Sequence, residues 1–304
     1  MVAHVGSPLL VLAGPGTGKT TTIVEAVLAR LGGNRPMAAD DVLVLTFSRV
    51  AAAELRSRIV ARAPVGQVPT VATFHSFAWQ LLRSHSPAET APEGLLSGPD
   101  QELMVRELVA DPAQVWARWW PADRREALRG PGLADELIGL MAAARAQGWE
   151  PADVAAAASL AEPAGAQVPR EWRAAAAFFE NYLHVLDWRG LVDYSEAIHR
   201  ARLLVAQEPA LVGRYRAIYI DEYQDTDPSQ VGLIRALTAP GTTVVAVGDP
   251  DQAIYRFRGA DVRGIMDFRS TFTQPDGTDA EVVVLHRTRR FGPGIRAVAD
   301  RWID

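Results

Sequence analysis

A doubly wound parallel α/β sheet carrying an inserted helical subdomain is the architecture this sequence predicts, and three observations predict it. Six short runs, residues 9–13, 42–47, 70–73, 217–221, 243–248 and 281–285, are mostly apolar without alternation. That is the pattern of strands buried on both faces. Helix-patterned stretches such as residues 50–60 connect several of them, as an α/β layer arrangement requires. Between the third and fourth runs lies a long region of different character, rich in alanine and tryptophan.

The first run ends at Ala13 and leads into Gly14-Pro15-Gly16-Thr17-Gly18-Lys19-Thr20, with a helical pattern opening at Thr21. Strand, glycine loop and helix in this order form the context of a phosphate-binding loop, from which only Ala13, at the first position, departs. Glycines let the backbone N–H groups curl inward, and the helix N-terminus adds free donors and a positive dipole end. Lys19 would neutralise β- and γ-phosphates, and the Thr20 hydroxyl would complete a Mg²⁺ shell.

The fourth run ends in the adjacent acids Asp221 and Glu222. Taken alone the pair has two readings: charges marking where a buried strand meets solvent, or one acid for a metal and one to activate water. Lys19 and Asp221 are about 200 residues apart, far more than a compact phosphate-loop domain needs between its nucleotide-binding strands. An insertion accounts for the gap, giving boundaries of 1–84, 85–205 and 206–304. The inserted part shows no convincing strand and holds six of the eight tryptophans, Trp116, Trp119, Trp120, Trp149, Trp172 and Trp188. Leu133, Leu137, Leu140, Met141 and Ala144 follow helical spacing, as do Phe179, Leu183 and Leu186. At such spacing the tryptophans read as core, with base stacking the rival reading. Asp193 and Glu196 form a capping-box variant that starts a further helix. The Ala/Pro-rich residues 151–169 read as a loose surface connection.

Composition bounds the function. The chain has 304 residues, 48% of them hydrophobic, enough for real cores. A net charge of -5 leaves no global basic coat, so any nucleic-acid contact is a local groove. The absence of cysteine excludes disulfides, thiolate metal sites and thiol nucleophiles, and a cytoplasmic location is expected. The N-terminal apolar run is too short for a membrane span and lacks a cationic lead, so neither membrane helix nor signal peptide is expected.

Three more segments stand at strand carboxyl ends, where open α/β sheets bind ligands. They are Thr46-Phe-Ser-Arg-Val-Ala-Ala-Ala-Glu-Leu-Arg-Ser-Arg-Ile59, Thr73-Phe-His-Ser-Phe77 and Val247-Gly-Asp-Pro-Asp-Gln-Ala-Ile-Tyr-Arg-Phe-Arg-Gly-Ala260. With the glycine loop and Asp221-Glu-Tyr-Gln-Asp-Thr226, in this order, the chain resembles superfamily 1 DNA helicases of the UvrD/PcrA/Rep type, including RecB-like and mycobacterial Adn motor subunits. The resemblance covers the whole chain. It implies a RecA-like P-loop NTPase sheet, ATP and Mg²⁺ as cofactors, and 3′ to 5′ translocation on single-stranded DNA. It further implies unwinding at single-strand/duplex junctions during repair or recombination.

By the same resemblance, Lys19, Glu222, Gln252 and Arg290 are the catalytic set. Ala13, Gly14, Pro15, Gly16, Thr17, Gly18, Lys19, Thr20 and Thr21 cradle the nucleotide, and Thr20 and Asp221 hold the metal. Glu222 is the base and Gln252 the γ-phosphate sensor, while Asp249 reads as a structural acid. Phe47, His75, Tyr255, Phe257 and Arg258 fall on DNA-contacting positions, where aromatic faces suit a translocase that must accept every base. The match departs at Leu285-His-Arg-Thr-Arg-Arg-Phe-Gly-Pro-Gly-Ile295, where the family's Asn and Tyr are Thr288 and Arg289. Arg287 and Arg289 there rival Arg290 as arginine finger. Arg49 and Val50 likewise replace an Asn and a Lys. No adenine-reading glutamine precedes the loop, and the family's second RecA-like domain would follow Asp304, so this motor half is expected to turn over poorly by itself. The alternative is an ATP- and single-stranded-DNA-binding, non-motor subunit of a helicase–nuclease complex.

Overall fold

The computed structural model describes residues 2–34, 36–111, 115–130, 132–161, 171–252, 262–288, 292 and 294. Two compact units emerge: Met1–Phe77 with Val205–Asp304, and Ala78–Leu204.

In the first unit, β1 (Pro8–Ala13), β2 (Val42–Thr46), β3 (Thr70–Thr73), β6 (Ala217–Ile220), β7 (Thr243–Gly248) and β8 (Glu281–Leu285) form one sheet in the order β3-β2-β6-β7-β1-β8. Every pairing is parallel. All six runs legible as apolar segments are strands of this sheet. β2, β6 and β7 are buried at every residue, which is why their sequences show no alternation. On one face Leu9, Val11, Val44, Tyr219 and Val245 pack with Ile23, Val24, Val27 and Leu31 of helix α1 (Lys19–Gly32) and with Leu55 and Ile59 of α2 (Arg49–Val60). Each fully buried aliphatic side chain there is worth about 1.5–3 kcal/mol.

Local sequence fixes where these helices begin. α2 starts where the Ser48 hydroxyl accepts a hydrogen bond from the Ala51 N–H, satisfying one of the donors a helix N-terminus leaves free. α9 (Pro228–Leu237) starts where Asp227 accepts from the Gln230 N–H at 2.9 Å, with Pro228 in the first turn. α1 starts after Gly18 in the left-handed region, φ 97°, a conformation glycine adopts without a Cβ penalty. α10 (Val262–Thr271) precedes β8.

The second unit is built on α4 (Gly98–Ala110), α5 (Leu133–Gln147), α6 (Pro151–Ala161) and α7 (Glu171–Trp188), and it takes in most of α3 (Phe74–His85) and α8 (Tyr194–Gln207). Trp116 packs edge-on against Phe178 at 5.0 Å and against Trp120 at 6.3 Å. Both tryptophans are buried, whereas Trp119 is 52% and Trp188 85% exposed, so the tryptophans divide between core and surface. Asp193 caps α8 by accepting from the Glu196 N–H at 2.8 Å. The reciprocal half of the box is absent, because Glu196 turns to Arg145 at 2.6 Å and Arg200 at 2.7 Å.

Two expectations are corrected in this unit. Residues 151–161 form a helix and not a loose connection: alanine is the strongest helix former, Pro151 suits a first turn, and Asp153 accepts from the Glu150 N–H. The region also contains two strands of two residues each, β4 (Gly94–Leu95) and β5 (Leu191–Val192), paired in parallel. Segments that short leave no periodicity in a sequence. Among the described residues no helix is long and apolar enough to cross a membrane.

Candidate active site

β1, β7 and β6 lie side by side, with Leu12 beside Gly248 and Ile220 beside Ala246. Their carboxyl ends therefore bring three distant segments together. After β1 the chain turns through Gly16 (φ 72°) and Gly18 (φ 97°), and Thr17 ties the turn by donating from N and Oγ1 to the Gly14 carbonyl, at 3.3 and 2.7 Å. A Cβ placed on Gly14 or Gly18 would meet nothing within 4 Å, so the concavity beside the loop is open. The Pro15 carbonyl accepts from the Thr288 hydroxyl at 2.9 Å, and Thr21 Oγ1 accepts from Arg58 at 2.7 Å.

β6 delivers Asp221, which is 3% exposed and donates its N–H to the Leu45 carbonyl at 2.9 Å. Burial, reinforced by the neighbouring charge of Glu222, pushes the Asp221 carboxyl up to about 6, against the opposing pull of Lys19 and a hydrogen bond from the Thr20 hydroxyl. A buried carboxylate that resists ionisation in this way gains most from a nearby cation. Glu222 follows in the left-handed region at φ 53°, ψ 47°, the one non-glycine residue with positive φ among those described. That turn reverses its side chain toward the glycine loop, where Oε2 meets Lys19 Nζ at 3.2 Å.

A second donor reaches the same oxygen. Gln224 Nε2 donates to Glu222 Oε2 at 2.7 Å, while its Oε1 accepts from the Asp249 N–H at 3.0 Å. Asp249 Oδ2 accepts from Gln252 Nε2, and Oδ1 accepts from the Asp251 N–H at 3.1 Å. Lys19, Glu222, Gln224, Asp249 and Gln252 thus form one connected chain of polar contacts. Sequence reasoning placed Gln224 inside the acidic motif but gave it no role. The signal was its position two residues beyond the base.

The donor set suits the expected ligands. Thr20 and Asp221 offer only oxygen atoms, linked by a hydrogen bond, as a hard cation requires, and Mg²⁺ keeps several waters instead of filling an all-protein cage. Among the described residues no cluster of three or more His, Asp or Glu capable of holding a metal occurs. The open glycine loop, the helix N-terminus and Lys19 fit a polyphosphate.

The residues assigned to DNA are partly placed. Phe47 stands just past β2 and is half-buried. His75 is the second residue of α3, and burial holds its imidazole below the usual range against the opposing influence of Asp227. Arg287 lies beyond β8, exposed. Tyr255, Phe257, Arg258, Arg289 and Arg290 lie outside the described residues.

Comparison with known proteins gives a concordant result. The profile of the UvrD/REP helicase N-terminal domain matches residues 1–273. A protein named DNA helicase II from Salmonella typhimurium is 30% identical over 312 residues, covering 100% of this chain and 39% of its own length. DNA helicase II of Escherichia coli is 30% identical over 310 residues with the same coverage. The ATP-dependent DNA helicase UvrD1 of Mycobacterium bovis is 32% identical over 319 residues, covering 98% of this chain and 38% of its own length. The chain spans well under half the length of these relatives.

Proposed function

The chain belongs to the UvrD/REP helicase family through its N-terminal domain, and from that premise we propose that it is the ATP-hydrolysing motor half of a 3′ to 5′ DNA helicase. The observation that carries the reading is the convergence of Lys19, Thr20, Asp221 and Glu222 at the carboxyl ends of β1 and β6, the two strands that flank β7, with Lys19 and Glu222 in contact at 3.2 Å.

When bound, Mg-ATP supplies the γ-phosphoryl electrophile and a divalent charge that neutralises the leaving phosphate. Thr20 and Asp221 hold the cation, and the glycine-loop N–H groups orient the phosphates. Lys19 exchanges its contact with Glu222 for phosphate oxygen. Glu222, relieved of that ammonium, accepts the proton of the water that attacks the γ-phosphorus as ADP departs. Almost all of this is positioning and charge neutralisation, which is what phosphoryl transfer requires. Gln252 contacts the γ-phosphate and relays its presence to the segment that follows it.

Single-stranded DNA lies across Phe47, Tyr255 and Phe257, held by stacking that tolerates any base, with His75 and Arg258 as supporting polar contacts. Repair or recombination at single-strand/duplex junctions is the setting this chemistry suits. A non-hydrolysing role in a helicase–nuclease complex is disfavoured, because Lys19, Asp221, Glu222 and Gln252, which follow β1, β6 and β7, are all present.

The test is DNA-stimulated ATP hydrolysis by the full-length parent protein and by its Glu222→Gln variant. Loss of turnover with retained nucleotide affinity is expected, and equal rates would remove Glu222 from the mechanism. Duplexes with a 3′ or a 5′ single-stranded tail decide polarity: unwinding only from the 5′ tail would reverse it.

A further inference from the structure

Gln224 makes contacts that the hydrolytic reading does not use. It is 2% exposed, and both halves of its amide are engaged, one on the acidic turn after β6 and one on the backbone after β7. The fit is tight enough to exclude a side chain opposite it. A Cβ on Gly248 would come within 2.8 Å of Gln224 Oε1 and 2.9 Å of Ile265 Cδ1, so the last position of β7 admits only glycine while Gln224 stays in place. The Asp249 N–H that Gln224 accepts belongs to the residue whose carboxylate holds the Gln252 side chain. A buried primary amide fully paired at both ends has one orientation, with Nε2 toward the carboxylate and Oε1 toward the N–H.

We propose that Gln224 is a positioning residue that couples Glu222 to the Gln252 turn, so that displacement of that turn by DNA or γ-phosphate changes the orientation and availability of Glu222. This rests on Glu222 being the base. With Lys19 and Gln224 both on Oε2, the carboxylate is held in the resting protein by two donors on one oxygen. Nucleotide phosphates draw off the first. Movement of the Asp249 backbone draws off or re-aims the second, and only then is Oε2 free for water. Gln224 thereby makes hydrolysis conditional on both occupants without touching either.

Two variants separate the two halves of the amide. Gln224→Met keeps the length and removes both contacts, whereas Gln224→Glu keeps an acceptor for the Asp249 N–H and loses the donor to Glu222. In Gln224→Met, kcat for ATP is expected to fall about tenfold, the KM for ATP to stay within about twofold, and the stimulation by a single-stranded oligonucleotide to drop toward unity. The Asp249 amide, followed by hydrogen exchange without nucleotide, should exchange about tenfold faster in Gln224→Met and remain protected in Gln224→Glu. Gln224→Glu should share the loss of stimulation.

Unchanged exchange at Asp249 in Gln224→Met overturns the bridge, whether or not turnover is measurable. Wild-type stimulation in both variants, with Glu222→Gln inactive, overturns the coupling while leaving the base assignment intact. A wild-type rate in Glu222→Gln itself removes the base, and the proposal with it. A residue that merely supported the fold would lower the melting temperature and raise KM together, leaving the stimulation ratio as it was, and that result also overturns the proposal.

Discussion

Replacing Glu222 by glycine and, separately, by alanine isolates the backbone of the acidic turn from its chemistry. Both changes delete the same carboxylate, so the lost contacts to Lys19 and Gln224 and the relieved repulsion of Asp221 cancel in the difference. What remains is a Cβ in the left-handed region at φ 53°. That Cβ costs about 1–2 kcal/mol, while glycine loses about 0.5–1 kcal/mol more backbone freedom on folding. The glycine variant should therefore be more stable by about 0.5–1 kcal/mol, the reverse of the order at a helical or extended position. Seven of the eight tryptophans lie in Ala78–Leu204, so their fluorescence reports the wrong unit. Hydrogen exchange at the slowest amides of β2 and β6, in nucleotide-free buffer, measures the stability of the sheet directly. An alanine variant as stable as the glycine variant, or more so, would refute the left-handed geometry and the side-chain reversal derived from it.

Other perturbations have equally definite outcomes. Phe47→Ala should weaken binding of a single-stranded oligonucleotide by about 1–3 kcal/mol, the worth of one stacked base, with nucleotide affinity unchanged; equal anisotropy titrations would return Phe47 to a packing role. Arg145 is 3% exposed, paired with Glu196 at 2.6 Å and stacked over Phe179 at 4.8 Å, so Arg145→Met leaves Glu196 buried without that partner and should cost about 3–5 kcal/mol in urea unfolding followed by tryptophan fluorescence. Burial raises the Asp193 carboxyl above the usual carboxylate range, so the native state binds its proton more readily than the unfolded chain does. Stability from this source is greatest below the unfolded value and is lost as pH rises toward the folded one. Asp193→Asn should accordingly stand higher in melting temperature relative to the parent at pH 7.5 than at pH 4, and a difference independent of pH would show that Asp193 does not titrate as its surroundings require.

How much was legible follows from how many residues carried each signal. Strands β2, β6 and β7 stood out because burial on both faces makes an unbroken apolar run, whereas the edge strands β3 and β8 are only partly buried and were legible from their β-branched residues. The glycine loop stood out because its geometry needs particular residues at particular places. Helix α6 was misread because alanine and proline serve both a linker and a capped helix, and only Asp153 reaching back to the Glu150 N–H separates the two. The left-handed turn at Glu222 was hidden because no glycine marks it. Gln224 could not be assigned a partner without knowing that β6 and β7 are neighbours with Ile220 beside Ala246. Register across a parallel sheet is a property of the assembled fold, and no window along the chain contains it.

The order of strands also sets a timetable. β1 pairs only with β7 and β8, Pro8 lying beside Val244 and Leu9 beside Glu281. During synthesis the earliest strand consequently waits for the latest. At about 5–20 residues per second the delay amounts to roughly ten to fifty seconds. Over that interval the helices of Ala78–Leu204, whose contacts are local, have time to form, while the glycine-loop strand remains an unpaired apolar segment exposed to chaperones and to other nascent chains. A chain that stops between Leu204 and β7 therefore carries the whole of Ala78–Leu204 and no nucleotide site.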